Sequence, residues 1–260
     1  HPHAARARGI TAVYQELSLI PDMSIAENIW LTHEPRHWGL PVNRRATLEG
    51  TRRLLGLFAG VIPVLDPETP VKDLTPDAKQ IVEILKTLSL DPRFIILDEA
   101  TASLDSQQVN RLFELIALWK KDGRAIVFVS HRMEEVFRIA DRIVVLRDGQ
   151  TVGDLPHAYA SEAAVVALMT GETADADAAV AAHRDDSVVN AGGLAEVRLQ
   201  VRKLSTQMLR DVSFEVHDGE LLGLGGLRGQ GQEDILLAVF GAMRHGGAIE
   251  IGGKPVQWKH

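Results

Sequence analysis

Three short apolar runs constrain this chain more than any other feature in it. Phe94-Ile95-Ile96-Leu97, Ala125-Ile126-Val127-Phe128-Val129 and Ile143-Val144-Val145-Leu146 are uninterrupted and rich in β-branched residues. That pattern predicts strands buried on both faces, as in a parallel sheet. The segments around them carry helical spacing. Ile81, Ile84, Leu85 and Leu88 fall on one face, as do Val109, Leu112, Phe113 and Ile116, with Asp105 or Ser106 as N-cap of the second helix. Strand and helix in alternation predict an α/β domain whose helices cover a mostly parallel sheet.

The stretch from about Gln15 to Leu74 has helical patches, no convincing buried strand and the loop-like Glu34-Pro35-Arg36-His37-Trp38-Gly39. It predicts a helical subdomain, spanning about 17–90, inserted in the sheet. Further on, Ser161 to Thr170 predicts a short helix stopped by Gly171. The Ala/Asp-rich stretch from Thr173 to Gly193 is the best linker candidate. Beyond it, Glu196 to Val201 and Val212 to Val216 alternate apolar and polar residues like half-exposed antiparallel strands, and Asp218-Gly219 supplies a turn. The expected division is an incomplete first domain over 1–155, a helix and linker over 156–194, and the start of a second, incomplete domain over 195–260.

Composition narrows the function classes. With 45% hydrophobic residues in 260, there is enough apolar material for one large or two small cores. No apolar stretch approaches the roughly 18–20 residues of a membrane-spanning helix, and His1-Pro2-His3-Ala4 has no leader character. A chain without cysteine excludes disulfides, thiolate metal sites and a cysteine nucleophile, and makes the cytosol its natural compartment. A net charge of -7 without a basic stripe argues against nucleic acid as partner. His1 in place of methionine points to a processed or truncated chain.

The strand Phe94 to Leu97 delivers two adjacent carboxylates, Asp98 and Glu99, to its carboxyl end, where open α/β sheets place their ligand crevice. In that layout Asp98 would hold Mg²⁺ and Glu99 would polarise the water attacking a γ-phosphate. Alone, the hexamer also fits any parallel strand ending in an acidic turn. Ser103-Leu104-Asp105 follows, however, and a second buried strand ends in Ser130-His131. A histidine at that edge can bond the γ-phosphate and help organise the attacking water.

Asp98-Glu99-Ala100-Thr101-Ala102-Ser103-Leu104-Asp105 resembles the Walker B and D-loop of ABC ATPases, and Ser130-His131-Arg132-Met133-Glu134-Glu135-Val136 resembles their switch-histidine region. Gly9-Ile10 through Val13-Tyr14-Gln15-Glu16, then Ser24-Ile25-Ala26-Glu27-Asn28-Ile29, is similar to the Q-loop region of the fused, double-domain ATPases of bacterial monosaccharide importers. Ala140-Asp141-Arg142-Ile143 and Arg147-Asp148-Gly149 are similar to the same group. The resemblance spans nearly the whole chain. It implies a P-loop NTPase fold of the ABC type and the cofactors ATP and Mg²⁺. Gln15 would contact Mg²⁺ or the attacking water, and its loop would touch the membrane subunits. It also implies transmembrane permease subunits and, indirectly, a sugar-binding protein as partners. The nucleotide-binding domains would pair head to tail on the inner face of the cell membrane.

Some positions depart from the family. The signature segment reads Leu74-Thr75-Pro76-Asp77-Ala78-Lys79-Gln80; Thr75 can stand for the usual serine hydroxyl, but Asp77 replaces a glycine and puts negative charge beside a negative ligand. The glycine-rich Gly223 to Glu233 lies where a phosphate-binding loop belongs, with Gly226, Gly229 and Gly231 as backbone candidates. There Gln232 takes the lysine position and Glu233 the Ser/Thr position, so the usual point charge and Mg²⁺ hydroxyl are missing. Ala100 replaces the usual proline. In a head-to-tail dimer Asp77, Gln232 and Glu233 would share one degenerate site. Gln15, Asp98, Glu99, Asp105 and His131 would belong largely to the opposite site, whose phosphate loop is expected before residue 1. The expected function is the ATPase that powers import of a sugar or related solute, hydrolysing at one site and clamping at the other, with this stretch alone turning over nothing. A soluble ABC ATPase acting on ribosomes or DNA would carry a basic linker or a long coiled-coil insertion, which is not seen at 173–193. A nonhydrolytic nucleotide-dependent interaction module is the other alternative.

Overall fold

The computed structural model describes residues 2–35, 42–171, 196–226 and 230–256. They form two compact units, one of residues 1–12, 93–99 and 119–260 and the other of 13–92 and 100–118.

The first unit is built on a six-stranded sheet. Its strands are β1 (Ile10–Val13), β2 (Phe94–Asp98), β3 (Ala125–Val129), β4 (Arg142–Arg147), β5 (Gln150–Pro156) and β8 (Leu221–Gly226). They lie in the order β1-β2-β3-β8-β4-β5. β2, β3, β8 and β4 run parallel, while β5 returns antiparallel to β4. Every residue of β2, β3 and β8 is buried, as are Ile143 to Leu146 of β4, which is why the three apolar runs in β2, β3 and β4 show no alternation.

The position of β8 is the unexpected feature. Residues 1–155 and 195–260, assigned from sequence to two incomplete domains, contribute to one sheet. β3 and β4 both expose parallel edges that require pairing, and β8 fills the slot with register Phe128↔Gly223 on one side and Ile143↔Gly223 on the other. Leu221, Leu222 and Leu224 are fully buried there. The start of β8 is pinned by charge. Arg142 donates to Glu220 at 2.7 Å, to Asp154 at 2.8 Å and to the carbonyl of Glu215, and Asp141 accepts from the Leu221 amide at 2.8 Å.

A second sheet, ordered β10-β9-β6-β7, is antiparallel throughout and comprises β6 (Val197–Ser205), β7 (Val212–His217), β9 (Gly246–Ile251) and β10 (Lys254–Pro255). β7 alternates buried and more exposed residues, as its sequence predicts, and the Glu220 amide closes the Asp218-Gly219 turn by donating to the His217 carbonyl at 3.1 Å. Helices of this unit include α1 (Pro2–Ala7), α6 (Met133–Ile139), α7 (Glu162–Thr170) and α8 (Gln232–Phe240). α7 follows its sequence signals at both ends. Ser161 accepts from the Ala164 amide, and Gly171 stops the helix in the left-handed region at φ 84°. The predicted linker at 173–193 lies outside the described residues.

The second unit holds α2 (Ile25–Trp30), α3 (Arg44–Leu55), α4 (Pro76–Leu88) and most of α5 (Ser106–Lys121). α2 opens with a reciprocal Ser24/Glu27 capping box. Trp30 is a packing residue, donating to Thr51 Oγ1 at 3.0 Å; Trp38 lies outside the described residues.

Candidate functional site

The carboxyl ends of β2 and β3 carry the chemistry. Asp98, 6% exposed, is the last residue of β2. Glu99 follows at φ 45°, a left-handed conformation that non-glycine residues adopt at a cost, while its amide donates to the Val129 carbonyl at 3.0 Å. The turn directs its carboxylate toward the end of β3. There the imidazole Nδ1 of His131 donates to Glu99 Oε1 at 3.0 Å. The two strands therefore bring Glu99 and His131 together as expected.

A cavity of about 310 Å³ collects these groups: Asp98, Glu99, Val129, Ser130, His131, Gly226, Gln232 and Glu233 line it. Burial pushes the Asp98 carboxyl up to about 7, with the negative charges of Glu233 and Glu99 adding to the effect. Gly226 and Gly231 are both places where a side chain would not fit. A Cβ on Gly226 would collide with Gln232 Nε2; on Gly231, at φ 99°, it would meet Leu209 Cδ2 at 2.5 Å. Gly229 and Arg228 lie outside the described residues.

The structure thus groups Gly226, Gln232 and Glu233 with Asp98, Glu99 and His131, whereas the sequence pattern assigned most of them to opposite sites. The physical reason is the position of β8 between β3 and β4, which delivers the start of α8 to the same sheet edge.

The remaining candidates belong to the second unit. Gln15 is exposed after β1. Thr75 is the N-cap of α4 without a side-chain cap bond. Asp77 accepts from Gln108 Nε2 at 2.8 Å, and hydrogen bonds from Thr75 and then Gln108 hold its carboxyl below the usual range. Asp105 is the N-cap of α5, accepting from the amides of Gln107 and Gln108 at 2.8 and 2.9 Å, so the capping role read from sequence uses the same carboxylate as any nucleotide contact.

Two positioning clusters were not singled out from sequence. Ser130 donates to Glu135 at 3.2 Å and accepts from the Arg132 amide at 3.1 Å, fixing the turn that presents His131. A serine at a strand end followed by an acid in the first turn of the next helix is the signal for it. In the second unit, buried Glu83 accepts from Ser18 Oγ at 2.6 Å and Lys86 donates to the Ser18 carbonyl at 3.0 Å, holding the segment after Gln15. Nothing local in Ser18 announces a partner so distant in sequence.

Among the described residues no group of three or more acids and histidines could hold a metal ion by itself. That is compatible with Mg²⁺, which keeps most of its waters and takes one or two carboxylates, here Asp98. A triphosphate fits less well. Among the described residues that line the cavity none is lysine or arginine, and three are carboxylates.

No protein-family model matches the chain. It is 41% identical over 256 residues to ribose import ATP-binding protein RbsA of Chromobacterium violaceum, a match covering 98% of this chain and 49% of that protein. It is 42% identical over 258 residues to ribose import ATP-binding protein RbsA 3 of Rubrobacter xylanophilus, covering 98% of this chain and 50% of that one. The chain therefore spans about half the length of the curated relatives it matches. Among solved structures, the ATP-binding cassette MJ0796 in a dimeric post-hydrolysis state bound to ADP and Pi superimposes with TM-score 0.52 at 23% identity, over 60% of this chain and 66% of that one. A second dimeric structure of the same bacterial ABC transporter cassette gives TM-score 0.51. Along almost its entire length the chain is thus similar to about half of these ribose import ATP-binding proteins, and it shares the fold of an ABC transporter cassette.

Proposed function

We propose that the chain is part of an ATP-hydrolysing subunit that energises import of a sugar or related small solute. The observation that supports this most is the meeting of Asp98, Glu99 and His131 in one cavity, with the Glu99–His131 bond at 3.0 Å. Glu99 is placed to take a proton from a water, and His131, whose side chain is 61% exposed, orients it. ATP supplies the transferred phosphoryl group when bound, and Asp98 is the residue that would hold Mg²⁺ beside it. In this reading Gln15 and Asp105 are assigned nucleotide contacts of the hydrolytic site of the longer protein, and Thr75, in the signature segment, one of the degenerate site. Gly226, Gly229, Gly231 and Gln232 form the degenerate phosphate loop that opens a second nucleotide-binding domain in the longer protein.

The longer protein pairs its two nucleotide-binding domains head to tail and docks on permease subunits at the cytoplasmic face of the membrane, supplied by a sugar-binding protein outside. No helix among the described residues is long and apolar enough to cross a membrane. The test is a hybrid in which this chain replaces the matching segment of the Chromobacterium violaceum relative. We expect ATP hydrolysis that falls at least ~100-fold on Glu99→Gln, the scale of a lost general base. A folded hybrid whose hydrolysis is unchanged by that substitution contradicts the assignment.

A further inference from the structure

Asp105 and Gln108 open α5 with a reciprocal cap. Asp105 Oδ1 accepts from the amides of Gln107 and Gln108, and Gln108 Oε1 accepts from the Asp105 amide at 3.1 Å. Either Glu or Gln can close such a box from that position, but only Gln has donors left once its oxygen is used. Gln108 is 2% exposed and directs its amide to other segments: Nε2 donates to Asp77 Oδ2 at 2.8 Å and to the Val61 carbonyl at 3.3 Å. The Asp77 carboxylate also accepts from the Thr75 hydroxyl. One buried side chain therefore bridges the turn that ends in Asp105 to the start of α4. All of these residues lie in the second unit.

We propose that Gln108 is a positioning residue that locks the turn carrying Asp105 to the helix start carrying Thr75 and Asp77, so that the two segments move as one. The proposal rests on the reading in which Asp105 serves the hydrolytic site and Thr75 the degenerate one. In a head-to-tail pair these segments face different nucleotides, and the lock transmits a shift at one to the other through a single packed, hydrogen-bonded link. Asp77 has a role here that its charge alone does not suggest, as the anchor for two neutral donors. The chemistry is matched at both ends. A glutamate at position 108 would keep the cap on Asp105 but set two carboxylates against each other. A glycine at position 77 would take the carboxylate away from a buried amide.

The experiment uses the hybrid with the Chromobacterium violaceum relative and compares Gln108→Glu, Asp77→Asn and the two combined. The combination re-forms the bridge with donor and acceptor exchanged. Circular dichroism at the assay temperature confirms that each is folded. The lock predicts that Q108E lowers kcat about five- to tenfold and that Q108E/D77N recovers to within about twofold of the unsubstituted hybrid. Loss of the Val61 contact is common to both variants, so recovery isolates the bridge to Asp77. A folded Q108E hybrid with unchanged kcat that still responds to Glu99→Gln would overturn the lock and leave the hydrolytic reading standing. A fall that the combination does not recover would overturn it too, because Gln108 would then act through the cap alone. Hydrolysis indifferent to Glu99→Gln would instead remove the reading on which the lock rests. In the 260-residue chain the same cycle is read by urea denaturation. There Q108E should lower the midpoint and D77N restore it, and additive losses would overturn the bridge.

Discussion

Asp98 ends β2 with 6% of its surface exposed, and Glu99 and Glu233 face the same cavity. Burial, Glu233 and Glu99 raise its carboxyl to about 7, so the folded chain holds a proton there that the unfolded chain has released. The sign follows from linkage: with the folded value above the unfolded one for an acid, stability is greatest below about pH 4 and is lost as pH rises toward 7. The full loss is on the order of 4 kcal/mol, since each tenfold change in proton affinity is worth ~1.4 kcal/mol. Without metal, Asp98→Asn should therefore match the parent chain in urea denaturation near pH 4 and exceed it by about 2–4 kcal/mol above pH 8. A constant difference across that range would show that Asp98 does not titrate between folded and unfolded states. The same buried, disfavoured charge is what a cation would relieve, which ties the cost in stability to the proposed role with Mg²⁺.

Arg142, β4, β5 and β8 form the element whose integrity keeps the cavity assembled. The Arg142 side chain is 19% exposed and Glu220 14%, so removing only the guanidinium strands a buried carboxylate. Arg142→Met should cost about 3–5 kcal/mol, and Arg142→Met combined with Glu220→Leu should recover most of it, because the apolar pair leaves no buried carboxylate unpaired and Asp154, the other partner, is 42% exposed. Equal destabilisation of the single and double variants in thermal or urea unfolding would show that the pairing is not what holds β8 at its start. At this scale the sequence was readable where the signal is local. The runs at 94–97, 125–129 and 143–146 became β2, β3 and β4, and Ser161 and Gly171 bounded α7. Glu99 and His131 were also readable together, since parallel strands deliver their carboxyl ends to one edge. β8 was not, because Leu221 to Gly226 reads as a buried strand before a glycine-rich turn without naming its neighbours. Strand pairing is set by distant edges and by ion pairs such as Arg142–Glu220, 78 residues apart. Ser18 escaped for the same reason, since its partner Glu83 lies 65 residues away, whereas Ser130 carried a local signal in Glu135 that went unread.

For the whole molecule, the central claim is that residues after 195 complete the sheet begun by residues before 155, and by doing so bring α8 to the acidic pair. The likeness to half of a ribose import ATP-binding protein explains the parts; the slot between β3 and β4 explains how they combine in this chain. A strand in an inner slot, with Leu221, Leu222 and Leu224 fully buried, opens only when the sheet itself unfolds. Amide hydrogen exchange of the 260-residue chain reads this directly. The account predicts that the amides of 221–226 exchange as slowly as those of 125–129, and exchange of 221–226 faster by orders of magnitude, with 125–129 still protected, would contradict it.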